Sequence, residues 1–335
     1  MAIDLHTHYC PKELAVELKK RTVPPFISRN NDNTQTFHMP HGLLDFPESF
    51  LDMEDRQKFM AEKGIEHQVL SFPGLFGVDS IAAKESLPLV KIFNDSVADL
   101  CQKFPDSFSG LAALPMADID LAKREFLRAR DELGLIGAIL PNNFFISEEQ
   151  ANNVAPIFQL AQEIGGHIFI HPGRRPDEVP KIHKQPRKKF TDFLPERLAL
   201  TVQHNVSHCM VTLLFSDFLD AYPDITLHVA NLGGTLPMVI ERMDNVCITR
   251  TPNTPLPSSK ASRVHVDCSS LGPRALEISV AIFGAEKILF GTDCPIFSTE
   301  QSLNAVNSAN ISNSDKQLIL KGNAQELLKP YAAKM

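Results

Sequence analysis

The chain has no tryptophan and only three tyrosines against 22 phenylalanines in its 335 residues. Flat apolar surface, in the core or in a pocket, must therefore come from phenylalanine. A cationic excess is missing too: 33 Lys and Arg against 40 Asp and Glu leave a formal charge of −7, so a nucleic-acid-binding face is not expected. No apolar run approaches the roughly 18–20 residues needed to cross a bilayer, so no membrane partner is expected. The opening MAIDLHTHYC lacks the basic and apolar segments of a secretion signal. The six cysteines form no CxxC pair, and without such a signal they are expected to be reduced thiols of a cytoplasmic protein. No solenoid-type repeat and no low-complexity tract interrupts the chain.

A hydrophobic share of 43% excludes a disordered chain and leaves room for a sizeable core. Short apolar runs recur at wide spacing: Ala2–His8, Gln68–Phe72, Phe108–Leu114, Leu135–Leu140, His167–His171, Ile225–Asn231, Val264–Ser269 and Ile288–Asp293. Runs of this kind, apolar on both faces, read as strands buried on both sides of a parallel sheet. Between them, Asp52–Lys63, Ile119–Leu133, Glu149–Ile164 and Pro273–Phe283 each run up to a glycine, a helix stop. Alternating strands and helices predict an α/β fold, and eight strand candidates suit one (β/α)₈ TIM barrel over residues 1–335. Two stretches depart from the repeat: Val23–Glu48, expected as a loop or small cap inserted after the first strand (24–48), and the Lys/Arg/Pro-rich Pro172–Arg197 after the fifth.

His6 and His8 close the first strand and, one residue apart on a strand, point the same way. An HxH pair carries little weight alone. His171 ends the fifth strand and Asp293 the eighth, where burying an unpaired ionisable group costs several kcal/mol. In a barrel all strand carboxyl ends meet at one mouth. These four side chains could therefore gather around one cation, and three imidazoles with a carboxylate suit Zn²⁺, or Mn²⁺, Fe²⁺ or Co²⁺ in its place.

The segments IDLHTHYCP, DMEDRQKFMAEKGIEHQVLS, IFIHPG, HVANLGGTLP, RVHVDCSSLGPRALE, ILFGTDCP and KGNAQELL together resemble the amidohydrolase superfamily. The nearest likeness is to its branch of aminocarboxymuconate-semialdehyde and γ-resorcylate decarboxylases. The resemblance implies a metal-dependent barrel with one ion per subunit on His6, His8, His171 and Asp293, and a homodimer or higher homo-oligomer. It also implies a substrate-carboxylate arginine at Arg56 and a second arginine, Arg250, that reaches the neighbouring subunit's site. The competing reading of Arg56 is a helix-surface charge paired to Glu54 or Asp55. One departure stands out. Where the family's sixth strand ends in histidine, this chain has Asn231, which orients by hydrogen bonds but cannot take a proton at neutral pH. His228, three residues earlier, is expected on the opposite face.

The expected activity is non-oxidative decarboxylation of an aromatic or unsaturated carboxylic acid, with Asp293 as proton shuttle and Asn231 as a further catalytic-site residue. The alternative is a mononuclear metal-dependent hydrolase of a C–C, lactone or amide bond on the same barrel. The fourth strand ends LIGAILPNN without the lysine that bridges two metals in related hydrolases, so one ion is expected. Phe46, Phe72 and Phe297 are candidates to stack on a flat substrate. His204 and His208, spaced i, i+4 on a helix, read as a structural face; His38 and His41 read as loop histidines. Cys294 is expected to face away from Asp293, and Gly233-Gly234 carries no phosphate-loop pattern.

Overall fold

In the computed structural model the first strand, β1 (Ala2–His8), is buried along its whole length. Residues 1–40, 42–46, 53–179 and 195–331 are described. Helix α1 (Lys12–Lys20) follows, and the chain then forms a small antiparallel sheet of β2 (Phe26–Arg29), β3 (Gln35–Met39) and β4 (Gly42–Asp45). The insertion after β1 is thus a three-stranded cap rather than an open loop. Phe37 packs its buried ring, tilted, against those of Phe46 and Phe76, which ties the cap to the main core.

Helix α2 (Met53–Lys63) leads into β5 (Ile65–Ser71), then α3 (Ala83–Lys103), β6 (Phe108–Ala112), α4 (Ile119–Asp131) and β7 (Gly137–Pro141). Two helices, α5 (Glu148–Asn152) and α6 (Ala155–Ile164), stand where the sequence predicts one. Pro156 sits in the first turn of α6, where its missing N–H costs nothing, and it starts a new helix there. The remaining elements are β8 (His167–His171), α7 (Pro195–Phe215), β9 (Thr226–Val229), α8 (Leu236–Arg250), β10 (His265–Asp267), α9 (Pro273–Phe283), β11 (Ile288–Leu289), α10 (Thr299–Ser308), α11 (Asn313–Gln317) and α12 (Asn323–Leu328).

Eight strands pair in the order β1-β5-β6-β7-β8-β9-β10-β11, and every pairing among them is parallel. The ring closes where Leu5 N–H donates to Phe290 O and His8 N–H to Cys294 O. This is the expected (β/α)₈ barrel. β6, β9, β10 and β11 end before their apolar runs do because the chain leaves the ladder at the mouth. Four non-glycine residues there adopt left-handed backbone: Asn231 (φ 58°), Leu232 (52°), Ser270 (58°) and Asp293 (58°). Each such residue costs on the order of 1–3 kcal/mol, and such strain collects at functional sites. Ile3, Leu5, Val69, Leu111, Ile139, Phe169 and Leu289 form one apolar cluster of the interior.

Candidate metal centre

Plain alternation from Ile3 and Leu5, both in the interior cluster, would turn His6 and His8 outward. The pairing of β1 with β5 slips between Asp4 and Thr7. A bulge of this kind reverses the alternation, and both histidines enter the mouth, where the His6 ring lies 4.9 Å from that of Phe169. His171 arrives on β8 with His167 and Phe169, spaced by two. Asp293 is carried in by its left-handed turn, which also lets its N–H donate to His6 O at 2.7 Å.

The four donors meet. One ligand atom from each of His6, His8, His171 and Asp293 lies within 4.8 Å of the others, and all four residues are buried. Asp293 Oδ1 is 3.0 Å from His8 Nε2 and 3.6 Å from His6 Nε2.

The other ring nitrogens fix the tautomers. His171 Nδ1 lies 2.9 Å from the Pro172 carbonyl, which can only accept. His8 Nδ1 faces Ser71 Oγ at 3.1 Å, and that hydroxyl already donates to Thr7 O. His6 Nδ1 lies 3.0 Å from Asp267 Oδ2. Each imidazole therefore carries its proton on Nδ1 and turns the Nε2 lone pair inward. Nε2 of His6 and of His8 are buried without a hydrogen-bond partner. Orphaned lone pairs beside a carboxylate fit a bound divalent cation, with outer carbonyl, hydroxyl and carboxylate groups orienting the rings.

The electrostatics agree. Burial first, then neighbouring positive charge, holds His8 and His171 well below the ordinary histidine value, so both stay neutral ligands. Burial also disfavours charge on His6, but Asp267 and Asp293 outweigh it and raise the imidazole to about 9. A cation bound at Nε2 would take the place of the second ring proton that these carboxylates favour. Asp267 is desolvated too, yet His6 and Ser269 hold its carboxyl below the usual range.

The other sequence candidates scatter. Arg56 is only 5% exposed and is not a surface charge. Its Nε donates to Gln68 Oε1 at 2.7 Å and its Nη1 to His8 O at 2.6 Å, while Nη2 is buried without a partner. Arg56 and Phe297 line a cavity of about 450 Å³ walled also by Cys294 and Pro295; none of the four donors lines it. Phe297 is half exposed there, whereas Phe46 and Phe72 are buried in the core, Phe72 between Phe76 and Phe93. Arg250 ends α8, exposed and outside the group of four. His38 stacks on Phe26 within the cap sheet, and His41 lies outside the described residues. His204 and His208 face each other on exposed helix surface with Nε2 atoms 3.1 Å apart.

Asn231 is buried, and its Oδ1 accepts from Ser269 Oγ at 2.8 Å. His228 corrects an expectation. Strand geometry ends at Val229, so the left-handed turn brings Asn231 back toward the same carboxylate that His228 faces. Asn231 N–H reaches Asp267 Oδ1 at 3.3 Å, and His228 Nε2 lies 3.7 Å from Asp267 Oδ2. The sequence reading missed Asp267 and Ser269. Its signal was present: an aspartate closing the apolar run VHVD, the pattern that marked Asp293.

A family model described as Amidohydrolase matches residues 3–329. The chain is 30% identical over 313 residues to a gamma-resorcylate decarboxylase of Polaromonas sp. strain JS666, covering 85% of this chain and 91% of the relative. It is 25% identical over 345 residues to a 2-amino-3-carboxymuconate-6-semialdehyde decarboxylase of Dictyostelium discoideum, covering 98% and 91%. A solved dihydroxybenzoic acid decarboxylase from Polaromonas sp. JS666, with bound manganese and the inhibitor 2-nitroresorcinol, superposes with a TM-score of 0.70 at 24% identity, covering 98% of this chain and 96% of that one. Among the described residues, no helix is long and apolar enough to cross a membrane.

Proposed function

The chain belongs to the amidohydrolase family, and from that premise we propose that it is a metal-dependent, non-oxidative decarboxylase of an aromatic or unsaturated carboxylic acid. The observation that carries this reading is the buried group of three inward Nε2 atoms and one carboxylate at the barrel mouth, in a chain whose near full-length relatives are carboxy-lyases.

His6, His8, His171 and Asp293 hold one divalent cation per subunit; Zn²⁺ suits the donor set, and Mn²⁺, Fe²⁺ and Co²⁺ are its substitutes. Bound there, the cation would supply Lewis-acid charge for the substrate's carboxylate. When the bond to CO₂ breaks, its electron pair stays on the substrate carbon, which must take up a proton. Asp293 is the group assigned to deliver it: its carboxylate would take a proton from the substrate's carboxylic acid or hydroxyl, or from solvent, and give it to the carbon as CO₂ leaves. A bound cation would favour the ionised form of Asp293, so it would take up the proton only in passing. Arg56 offers its unpartnered Nη2 to a second carboxylate or oxygen of the substrate. Phe297 offers a flat face beside it, and Asn231 orients without exchanging a proton.

Arg250, exposed at the end of α8, is read as the residue that a homodimer passes to its neighbour's site. Six free thiols fit a reducing cytoplasm. The hydrolytic alternative gains no support from the decarboxylase relatives.

The test is CO₂ release from a panel of hydroxybenzoates and carboxymuconate-like acids by protein loaded with Mn²⁺ or Zn²⁺, with metal content measured in parallel. Release that vanishes on chelation and in Asp293→Asn is expected. Ester, lactone or C–C hydrolysis without CO₂ overturns the reading.

A further inference from the structure

The interior of a (β/α)₈ barrel is ordinarily filled with branched apolar side chains. Below the metal-facing histidines this barrel instead buries two more imidazoles, His167 and His228, both fully enclosed. They lie on adjacent strands, where Phe169 pairs with His228 and His167 with Thr226. His167 Nε2 and His228 Nδ1 are 2.8 Å apart, with the rings within 12° of coplanar. Phe169 stacks on His228 at 4.0 Å and holds it in plane. On the far side, His167 Nδ1 lies 3.1 Å from Thr226 Oγ1, and that hydroxyl 2.8 Å from Tyr331 Oη. On the near side, His228 Nε2 is buried with no hydrogen-bond partner and faces Asp267 Oδ2 at 3.7 Å. The same Oδ2 accepts a hydrogen bond from His6 Nδ1–H.

Donor direction follows from the carboxylate end. Asp267 Oδ1 accepts N–H groups from Ser269 and Asn231, and Oδ2 accepts from His6, so the group acts as an acceptor. A proton on His228 Nε2 faces the carboxylate favourably, though 3.7 Å is beyond hydrogen-bond distance, and it leaves Nδ1 to accept from His167 Nε2–H. His167 Nδ1 then accepts from the Thr226 hydroxyl, which accepts from Tyr331. Every donor points toward Asp267. The reverse order turns His167 Nδ1–H to the Thr226 backbone and sets a bare His228 lone pair against the carboxylate. Tyr331 stands beyond residue 329, where the family match ends.

We propose that His228 and His167 are positioning residues for the metal centre. Through this aligned chain the Nε2–H of His228 attracts Asp267 Oδ2 across 3.7 Å, favours the carboxylate position that accepts from His6 Nδ1, and so keeps the His6 Nε2 lone pair turned to the cation. The proposal rests on the metal site read above, but not on its reaction.

The test titrates Mn²⁺ into metal-free protein without substrate, so a failure to release CO₂ leaves it intact. His228→Leu removes the donor and keeps an apolar side chain; His228→Gln keeps an N–H for Asp267. Expected is a loss of Mn²⁺ affinity of about tenfold in His228→Leu, the lower end of what orienting partners of metal ligands supply. The Gln variant is expected within about threefold of the parent, the same scale setting the margin. The thermal midpoint without metal, followed in both, separates packing loss from positioning. Unchanged affinity in folded His228→Leu, or an equal loss in both variants, overturns the proposal. Should the Leu variant not fold, ¹⁵N spectra of the metal-free parent decide: His228 protonated on Nε2 supports the chain, and protonation on Nδ1 overturns it.

Discussion

Ser269 Oγ donates to Asn231 Oδ1 at 2.8 Å, and the same oxygen lies 2.9 Å from His6 Nδ1. Asn231 is thereby tied to the outer side of a metal-facing imidazole. It acts as an acceptor that fixes a hydroxyl, and it has no proton to exchange at neutral pH. Asn231→His places a titratable ring at that point. An added ionisation in the kcat/KM profile between about pH 5 and 8 is expected, the range in which an unperturbed imidazole titrates. A profile and rate identical to the parent would show the position to be idle.

Arg56 tests the substrate-binding reading. Replacing it with Gln removes the charge and the unpartnered Nη2 but keeps an amide beside Gln68. Hydrogen bonds to charged groups contribute about 1.5–3 kcal/mol, so KM is expected to rise by roughly 10–100-fold with kcat changed far less. Steady-state kinetics on the best acid of the panel measures this. A fall in kcat alone would mean that Arg56 serves the His8 carbonyl and Gln68 rather than the substrate.

The four donors were legible because each is an ionisable residue closing an apolar run, and a barrel collects strand ends by construction. The bulge at β1 was not legible: it depends on the register between β1 and β5, a pairing between distant segments. His228 was misplaced for a related reason, since strand alternation was carried two residues past the strand's end at Val229, to Asn231, which is left-handed. Phe46 and Phe72 went to the core because burial depends on which elements cover a side chain. A loop or small cap was expected there, but the cap's strands were not legible because Phe26–Arg29 and Gly42–Asp45 are only half-buried and do not read as apolar runs.

Asp79 supplies a pH signature from a carboxyl outside the group of four donors. Burial raises its carboxyl from 3.8 to about 7, against the hydrogen bond from Ser80. A carboxyl raised in the folded state binds its proton more tightly there. Its contribution is complete below the unfolded value and is lost as pH rises through about 7. Asp79→Asn mimics the neutral acid. Unfolding by denaturant with chelator present should find the variant equal to the parent near pH 4 and more stable near pH 8, by at most about 4 kcal/mol. Asp4, also raised to about 7 by burial, keeps part of the slope in the variant. Parallel stability curves would show that Asp79 is ionised throughout.

Gly291 sits against both halves of the His6–Asp267 pair. A Cβ built there comes within 2.8 Å of His6 Cβ and 3.1 Å of Asp267 Cβ and Oδ1. Neither neighbour is the loose end of a flexible chain: His6 is fixed by its ring contacts and Asp267 by three hydrogen bonds to its carboxylate oxygens from His6, Ser269 and Asn231. Gly291→Ala must therefore push the imidazole or the carboxylate. Overpacking of this size costs about 1–3 kcal/mol of stability. Displacing an orienting carboxylate costs roughly 10–100-fold in metal affinity. Gly272→Ala, where nothing lies within 4 Å, is the control. Metal titration and unfolding of both variants should show affinity lost at Gly291 alone. If Gly291→Ala binds Mn²⁺ as the parent does, the His6–Asp267 contact yields without moving Nε2, and the rigid second layer argued for this barrel is absent.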